Sequence, residues 1–256
     1  MTESGLYHYA IIRQQDTADF EAKPVAGEPG GGLFVVEHGP LATVVSHTTA
    51  DEILSTRRNM LAHTRALETI MAGRPILPFQ FGVVAAAGEG LESLISDQSS
   101  VLLHQLDRLD GKMEVGLRVS WKRDAIMQRI VEETPSLRAA RDALLGRSEA
   151  ETYSQRLEIG RAVHHELSAR KVRDGEAIVE RLAPLAIEQK PLAEGDDITL
   201  LNMAFLLENQ SEPELFKAVQ AMDSEQPGLF EIKYIAPAPP FSFVSLSLGP
   251  DQAQAA

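Results

Sequence analysis

The chain contains no cysteine, which excludes disulfides, thiolate metal sites and a thiol nucleophile, and which fits a reducing interior. It also lacks any apolar run near the ~20 residues that a membrane-crossing helix needs. Met1–Gly5 has neither a positive region nor an apolar core, so it does not read as a signal peptide. A cytoplasmic protein with no membrane partner is expected. Basic charge is scarce: 24 Lys and Arg stand against 37 Asp and Glu, for a net −13 at pH 7. The excess is −5 up to Ala125 and −8 beyond it. Acidity in both halves repels phosphates, and no basic patch with interleaved aromatics occurs, so nucleic acid is excluded as a partner.

Recognisable catalytic patterns are missing too. His164-His165 are adjacent and point about 100° apart on a helix, which suits no shared metal. No His-x-x-x-His pair exists, and His8, His38, His47, His63 and His104 are scattered singly. Satisfied or solvent-facing histidines are the simpler reading. Glu132-Glu133 and Asp196-Asp197 sit in polar, turn-adjacent sequence that favours solvated surface over a general acid/base pair. Gly30-Gly31-Gly32 precedes a strand rather than a helix, and Gly82, Gly88 and Gly90 match no nucleotide fingerprint. No Gly-x-Ser-x-Gly elbow is present. Neither a cofactor nor a small-molecule substrate is expected.

What the chain does have is alternation and periodicity. Leu6–Ile12 reads as a strand with Tyr7, Tyr9 and Ile11 on one face, and Leu33–Val36 and Leu41–Ser46 flank His38-Gly39-Pro40 as a hairpin. Ala50–Ala72 carries a helical stripe, capped by Thr49 or Asp51 and stopped near Gly73. Pro75–Val84 is strand-like, with Leu77, Phe79, Phe81 and Val83 on one face. Pro78, which cannot donate to a ladder, places it at an edge or bulge. A helix over Glu92–Leu109 precedes the cleanest strand, Lys112–Trp121, whose Met113, Val115, Leu117, Val119 and Trp121 alternate with polar residues and glycine.

From Lys122 to Leu182 the pattern is helical. Glu149–Lys171 forms a long exposed helix, and Asp174-Gly175 interrupts it before Glu176–Leu182. Leu185–Gln189, Thr199–Leu207 and Leu229–Ile235 read as strands, Glu212–Met222 as a helix, and Phe241–Val244 as an edge strand; Gly249–Ala256 should fray. The predicted class is α+β in two domains. Residues 1–125 form a modified ferredoxin-like antiparallel sheet with helices on one face. Residues 126–256 form a helix-rich α+β domain with the long exposed helix.

Six stretches carry a family resemblance, and they follow one another along the chain in the family's order. Ile76-Leu77-Pro78-Phe79-Gln80-Phe81-Gly82-Val83-Val84 resembles the Leu-Pro-Phe-x-Phe-Gly-Thr-Val hallmark of the gas vesicle GvpF/GvpL family. The aromatic strand Leu6–Ala10, His63 on its helix, Gly111-Lys112-Met113-Glu114 and Leu201-Asn202-Met203-Ala204-Phe205-Leu206 resemble other family segments. Pro237-Ala238-Pro239-Pro240-Phe241-Ser242-Phe243-Val244 is similar to the family's Pro-Trp-Pro-Pro-Tyr-Ser-Phe-Val ending, with Ala238 and Phe241 in place of tryptophan and tyrosine.

The resemblance implies a gas-vesicle-associated assembly factor or minor component with no enzymatic activity. Such a protein binds the small hydrophobic shell protein (GvpA type) and other accessory proteins, and limits shell aggregation during nucleation. It assigns Leu77, Pro78, Phe79, Phe81 and Gly82 a structural role. Pro237, Pro239, Pro240 and Phe241 are candidate partner contacts, and the sheet edge near Pro78 is a site for strand addition. Two other readings compete. One is an enzyme on a ferredoxin-like scaffold using His63, His104 and Asp196-Asp197. The other is a ligand-sensing module with the long helix as its output.

Overall fold

The computed structural model describes residues 5–26, 31–86 and 90–245. Gly30, Gly88 and the end expected to fray lie outside the described residues. The chain divides into two compact units, one of residues 1–114 with 237–256, the other of residues 115–236. The chain passes between the units at Glu114/Val115 and at Ala236/Pro237, both inside strands, beside a domain boundary expected near residue 125.

In the first unit, β1 (Gly5–Arg13), β2 (Phe34–His38), β3 (Leu41–Thr48), β4 (Leu77–Pro78) and β5 (Val84–Ala86) form one antiparallel sheet in the order β2-β3-β1-β4, with β5 also paired to β1. The hairpin turn at Gly39-Pro40 joins β2 to β3 as expected, with Gly39 at φ +66°. Between His8 and Ala10 the β1–β3 register shifts, so Tyr9 is an extra residue on β1. The bulge moves the later side chains to the opposite faces. Tyr7, Tyr9, Ala10 and Ile12 share one core cluster, and Ile11 is not among them, contrary to simple alternation.

The sheet is covered on both faces, not one. Ala66, Leu67 and Ile70 of α1 (Arg57–Ile70) pack with Tyr7, Tyr9 and Ile12. Leu91 and Glu92 of α2 (Leu91–Asp97) line a small cavity with Leu6, His8, Val36, His38 and Thr43 on the other side. That explains why β1 and β3 are buried at nearly every position. The helix expected from Ala50 begins only after Thr56, whose hydroxyl accepts from Asn59 N–H; Ile53 is buried ahead of it. The helix expected over Glu92–Leu109 breaks at Gln98 into α2 and α3 (Ser99–Leu109).

The second sheet is built from β6 (Lys112–Trp121), β7 (Glu188–Pro191), β8 (Thr199–Glu208) and β9 (Phe230–Ala238). Its order is β7-β8-β6-β9, and β7 and β8 pair antiparallel. β6 has the range its alternation predicts, but it joins this second sheet rather than the first. Its Trp121 packs with Ile126 and Ile130 of α4 (Arg123–Glu133), Leu137 of α5 (Pro135–Asp142) and Leu167 of α6 (Glu149–Leu182). α7 (Glu212–Glu225) precedes β9. α6 runs 34 residues without a break, about 51 Å, from a Ser148/Glu151 capping box. Gly175 does not interrupt it. A Cβ there would lie 2.9 Å from the Leu200 carbonyl oxygen of β8, so glycine serves close helix–strand approach. Phe241–Phe243 is a 3-10 turn with Phe243 buried, not an edge strand, because its chain curls back onto the first unit's core.

Candidate functional site

The hallmark run is not one strand. β4 contributes only Leu77 and Pro78 to the ladder, the chain turns at Phe81-Gly82 with Gly82 at φ +93°, and pairing resumes at Val84. Opposite this gap lies the bulge of β1, bridged by Phe79 N–H to Tyr9 O at 2.8 Å and His8 N–H to Val83 O at 3.0 Å. Leu77, Phe79 and Phe81 therefore do not share a face. Phe79 packs edge-on to His8, 5.5 Å away, whereas Phe81 joins the Tyr7 cluster.

His63 of α1 holds the gap in place. Its Nε2 faces the Phe79 carbonyl oxygen at 3.2 Å, which requires a proton on Nε2. Nδ1 is then the acceptor, 2.9 Å from the Tyr7 hydroxyl. Tyr7 donates to His63 and accepts from Gly82 N–H at 3.2 Å. Tyr9 completes the set, accepting from Val25 N–H at 2.8 Å and bonding Ser46 Oγ at 3.0 Å. The Val25 contact pins the irregular segment between β1 and β2, where Phe20 and Val25 are buried. The rings of Tyr7, Tyr9, Phe81 and Phe241 surround the imidazole at 5.7, 5.8, 5.8 and 6.5 Å.

Burial pushes His63 down to about 4 and Tyr7 up to about 12, so both are neutral near pH 7. The network is complete in that state. A proton on Nδ1 would leave Tyr7 facing two donors. Each bond contributes about 1 kcal/mol net, and an orphaned partner costs more. Chemically the site is a closed brace, with its imidazole nitrogens committed to the hydroxyl and carbonyl that they hold.

The hallmark and the proline-rich ending thus meet at His63. Phe241 stacks on the imidazole and packs against the core, Pro239 and Pro240 are buried, and Pro237 is exposed. The ending is fastened by the buried carboxylate of Glu114, which accepts from Ser242 N–H at 2.9 Å and Ser242 Oγ–H at 2.7 Å. Arg108 donates to Phe243 O. Sequence reasoning did not find the roles of Tyr7, Tyr9, Glu114 and Ser242. The available signal was that hydroxyls and a carboxylate alternate with core residues and need buried partners.

The residues of the enzyme reading occupy different settings. His63 is buried inside the first unit, His104 is exposed on α3, and Asp196-Asp197 sit exposed in a loop of the second. Asp197 pairs with Arg123 at 2.6 Å, which holds its carboxyl below the usual range, and a bond from Thr199 does the same for Asp196. Among the described residues no group of three His, Asp or Glu side chains could hold a metal, and no helix is long and apolar enough to cross a membrane.

Comparison with known proteins supplies what the geometry lacks. The family described as gas vesicle synthesis protein GvpL/GvpF matches residues 5–245. A gas vesicle protein F from a Streptomyces species is 27% identical over 238 residues, covering 93% of this chain and 98% of that protein. One from Dolichospermum flosaquae is 29% identical over 247 residues, covering 94% and 98%. The crystal structure of the gas vesicle protein GvpF from an Anabaena species has a TM-score of 0.73 at 23% identity, covering 95% of this chain and 97% of that one; this likeness concerns the fold.

Proposed function

The chain belongs to the GvpL/GvpF family of gas vesicle synthesis proteins, and from that premise we propose that it works by binding the small hydrophobic GvpA-type shell protein and limiting its aggregation during nucleation. Family membership gives it a role in gas vesicle formation and an association with other gas vesicle proteins. The observation that carries the reading is the extent of the match: it runs through both units, so the whole architecture is the family's.

A subunit that exposes strands and apolar helix faces before assembly needs a soluble partner that does not itself aggregate. A net charge of −13 keeps the partner dispersed in the cytoplasm. We read the first unit as a modified ferredoxin-like module. Its order 2-3-1-4 is that of the ferredoxin-like sheet, with an irregular segment in place of the first helix and with both faces covered. Leu77, Pro78, Phe79, Phe81 and Gly82 are its structural closure. Strand addition beside Pro78 has little to work with, since β4 pairs over two buried residues. Pro237, exposed near the end of β9 at the margin of the second sheet, is the better placed of the tail residues for a partner, while Pro239, Pro240 and Phe241 anchor the tail. Co-expression of the tagged full chain with the shell protein tests the reading. Co-purification at a fixed ratio is expected; shell protein recovered only in the insoluble fraction, with none on the tagged chain, overturns it.

A further inference from the structure

Helix α1 turns one face to the core through His63, Ala66, Leu67 and Ile70. Its opposite face is centred on Leu61, which is 46% exposed. Arg57 at i−4, Arg58 at i−3 and Arg65 at i+4 ring that leucine, all exposed. Met60 at 50% and Leu54 at 70%, just before the helix, extend the apolar centre.

Two features set this surface apart. From Ile53 to Leu67 the chain carries three arginines and no acidic residue, with Asp51, Glu52 and Glu68 at its borders, within a protein of net charge −13. Most other arginines are engaged, as Arg123 is with Asp197, Arg170 with Glu133 and Arg181 with Glu225. The side chains of Arg57, Arg58 and Arg65 have no hydrogen-bond or ion-pair partner among the described residues. Arg57 and Arg58 also occupy the first two helical positions, where the first turn holds no acid and the positive end of the helix dipole opposes them. Within the described residues no carboxylate pairs with these guanidinium groups; an anionic partner would supply one.

We propose that the Leu54–Arg65 face of α1 docks an acidic amphipathic helix of a partner protein, its apolar stripe on Leu61 and Met60 and its carboxylates on Arg57, Arg58 and Arg65. An apolar centre with a charged rim is the usual anatomy of a helix-docking surface. One helix covers this patch, whereas an extended anionic bilayer or a polyphosphate would also meet the acidic remainder of the molecule.

The test uses the full chain and a fluorescent synthetic peptide of about five helical turns, with leucines along one stripe and glutamates beside it. A lysine-for-glutamate version and phosphatidylserine vesicles serve as the other arms. Binding of the acidic peptide should weaken about tenfold or more in Arg57→Glu/Arg58→Glu and in Leu61→Glu. The arginine variant should keep its Tm or gain about 2 °C, because the reversed charges now suit the dipole. Equal binding by the variants, equal binding of the lysine peptide, binding of vesicles but not peptide, no peptide binding at all, or a lowered Tm in the arginine variant overturns the proposal.

Discussion

At the scale of single residues, the first unit rests on groups that must stay neutral. His63 and His8 are both held at about 4, well below the ordinary 6.5, chiefly by burial, with His38 adding to the effect on His8. The unfolded chain therefore takes up protons between those values and the folded chain does not. Their contribution to stability is whole above about pH 6.5 and is lost as pH falls towards about 4. The loss is a few kcal/mol for each histidine, on the order of 1.4 kcal/mol for each pH unit between the two values. Urea midpoints at pH 7, 6 and 5 should fall in that order, and the slope should be shallower in a His63→Gln variant; a flat profile contradicts this. Replacing His63 by Phe keeps a ring but orphans the Phe79 carbonyl and removes the acceptor for Tyr7. A loss of about 2–4 kcal/mol is expected, read as a Tm lower by about 5–15 °C. A change within about 1 °C would mean that the brace carries little.

At the scale of elements, the two glycines inside α6 make opposite predictions. Gly160 has open space where a Cβ would stand, so Gly160→Ala should stabilise by about 0.5–1 kcal/mol. Gly175→Ala would set a methyl 2.9 Å from the Leu200 carbonyl oxygen and should cost about 1–3 kcal/mol, despite the better helix propensity. Thermal melts of the two variants check the pair; equal shifts would refute the close approach. The same helix shows where sequence reading stops. Local pattern predicted its existence and exposure, because periodicity and composition are local. It also predicted a break at Gly175, because the reason for that glycine is a strand over twenty residues away. The alternation in Lys112–Trp121 located β6 residue by residue but could not say which sheet it joins, since pairing with β8 and β9 is non-local. The hallmark and the proline-rich ending were both visible as motifs. Their meeting at His63, and the bulge at Tyr9 that turns Ala10 and Ile12 onto the face of Tyr7, were not.

At the scale of the whole molecule, acidity and family membership point the same way. A chain of net −13 repels copies of itself, which is what the proposed hold on an aggregation-prone partner requires, and that repulsion is screened by salt. Raising ionic strength should therefore reduce the amount of shell protein kept in solution at a fixed ratio, measured as soluble protein after centrifugation. The most direct measurement of the central claim is light scattering as unfolded GvpA-type shell protein is diluted from denaturant into buffer with or without an equimolar amount of the full chain. A longer lag and lower final scattering are predicted in its presence, while an unrelated acidic protein of similar size has no effect. Scattering that rises identically with and without the chain would contradict the claim.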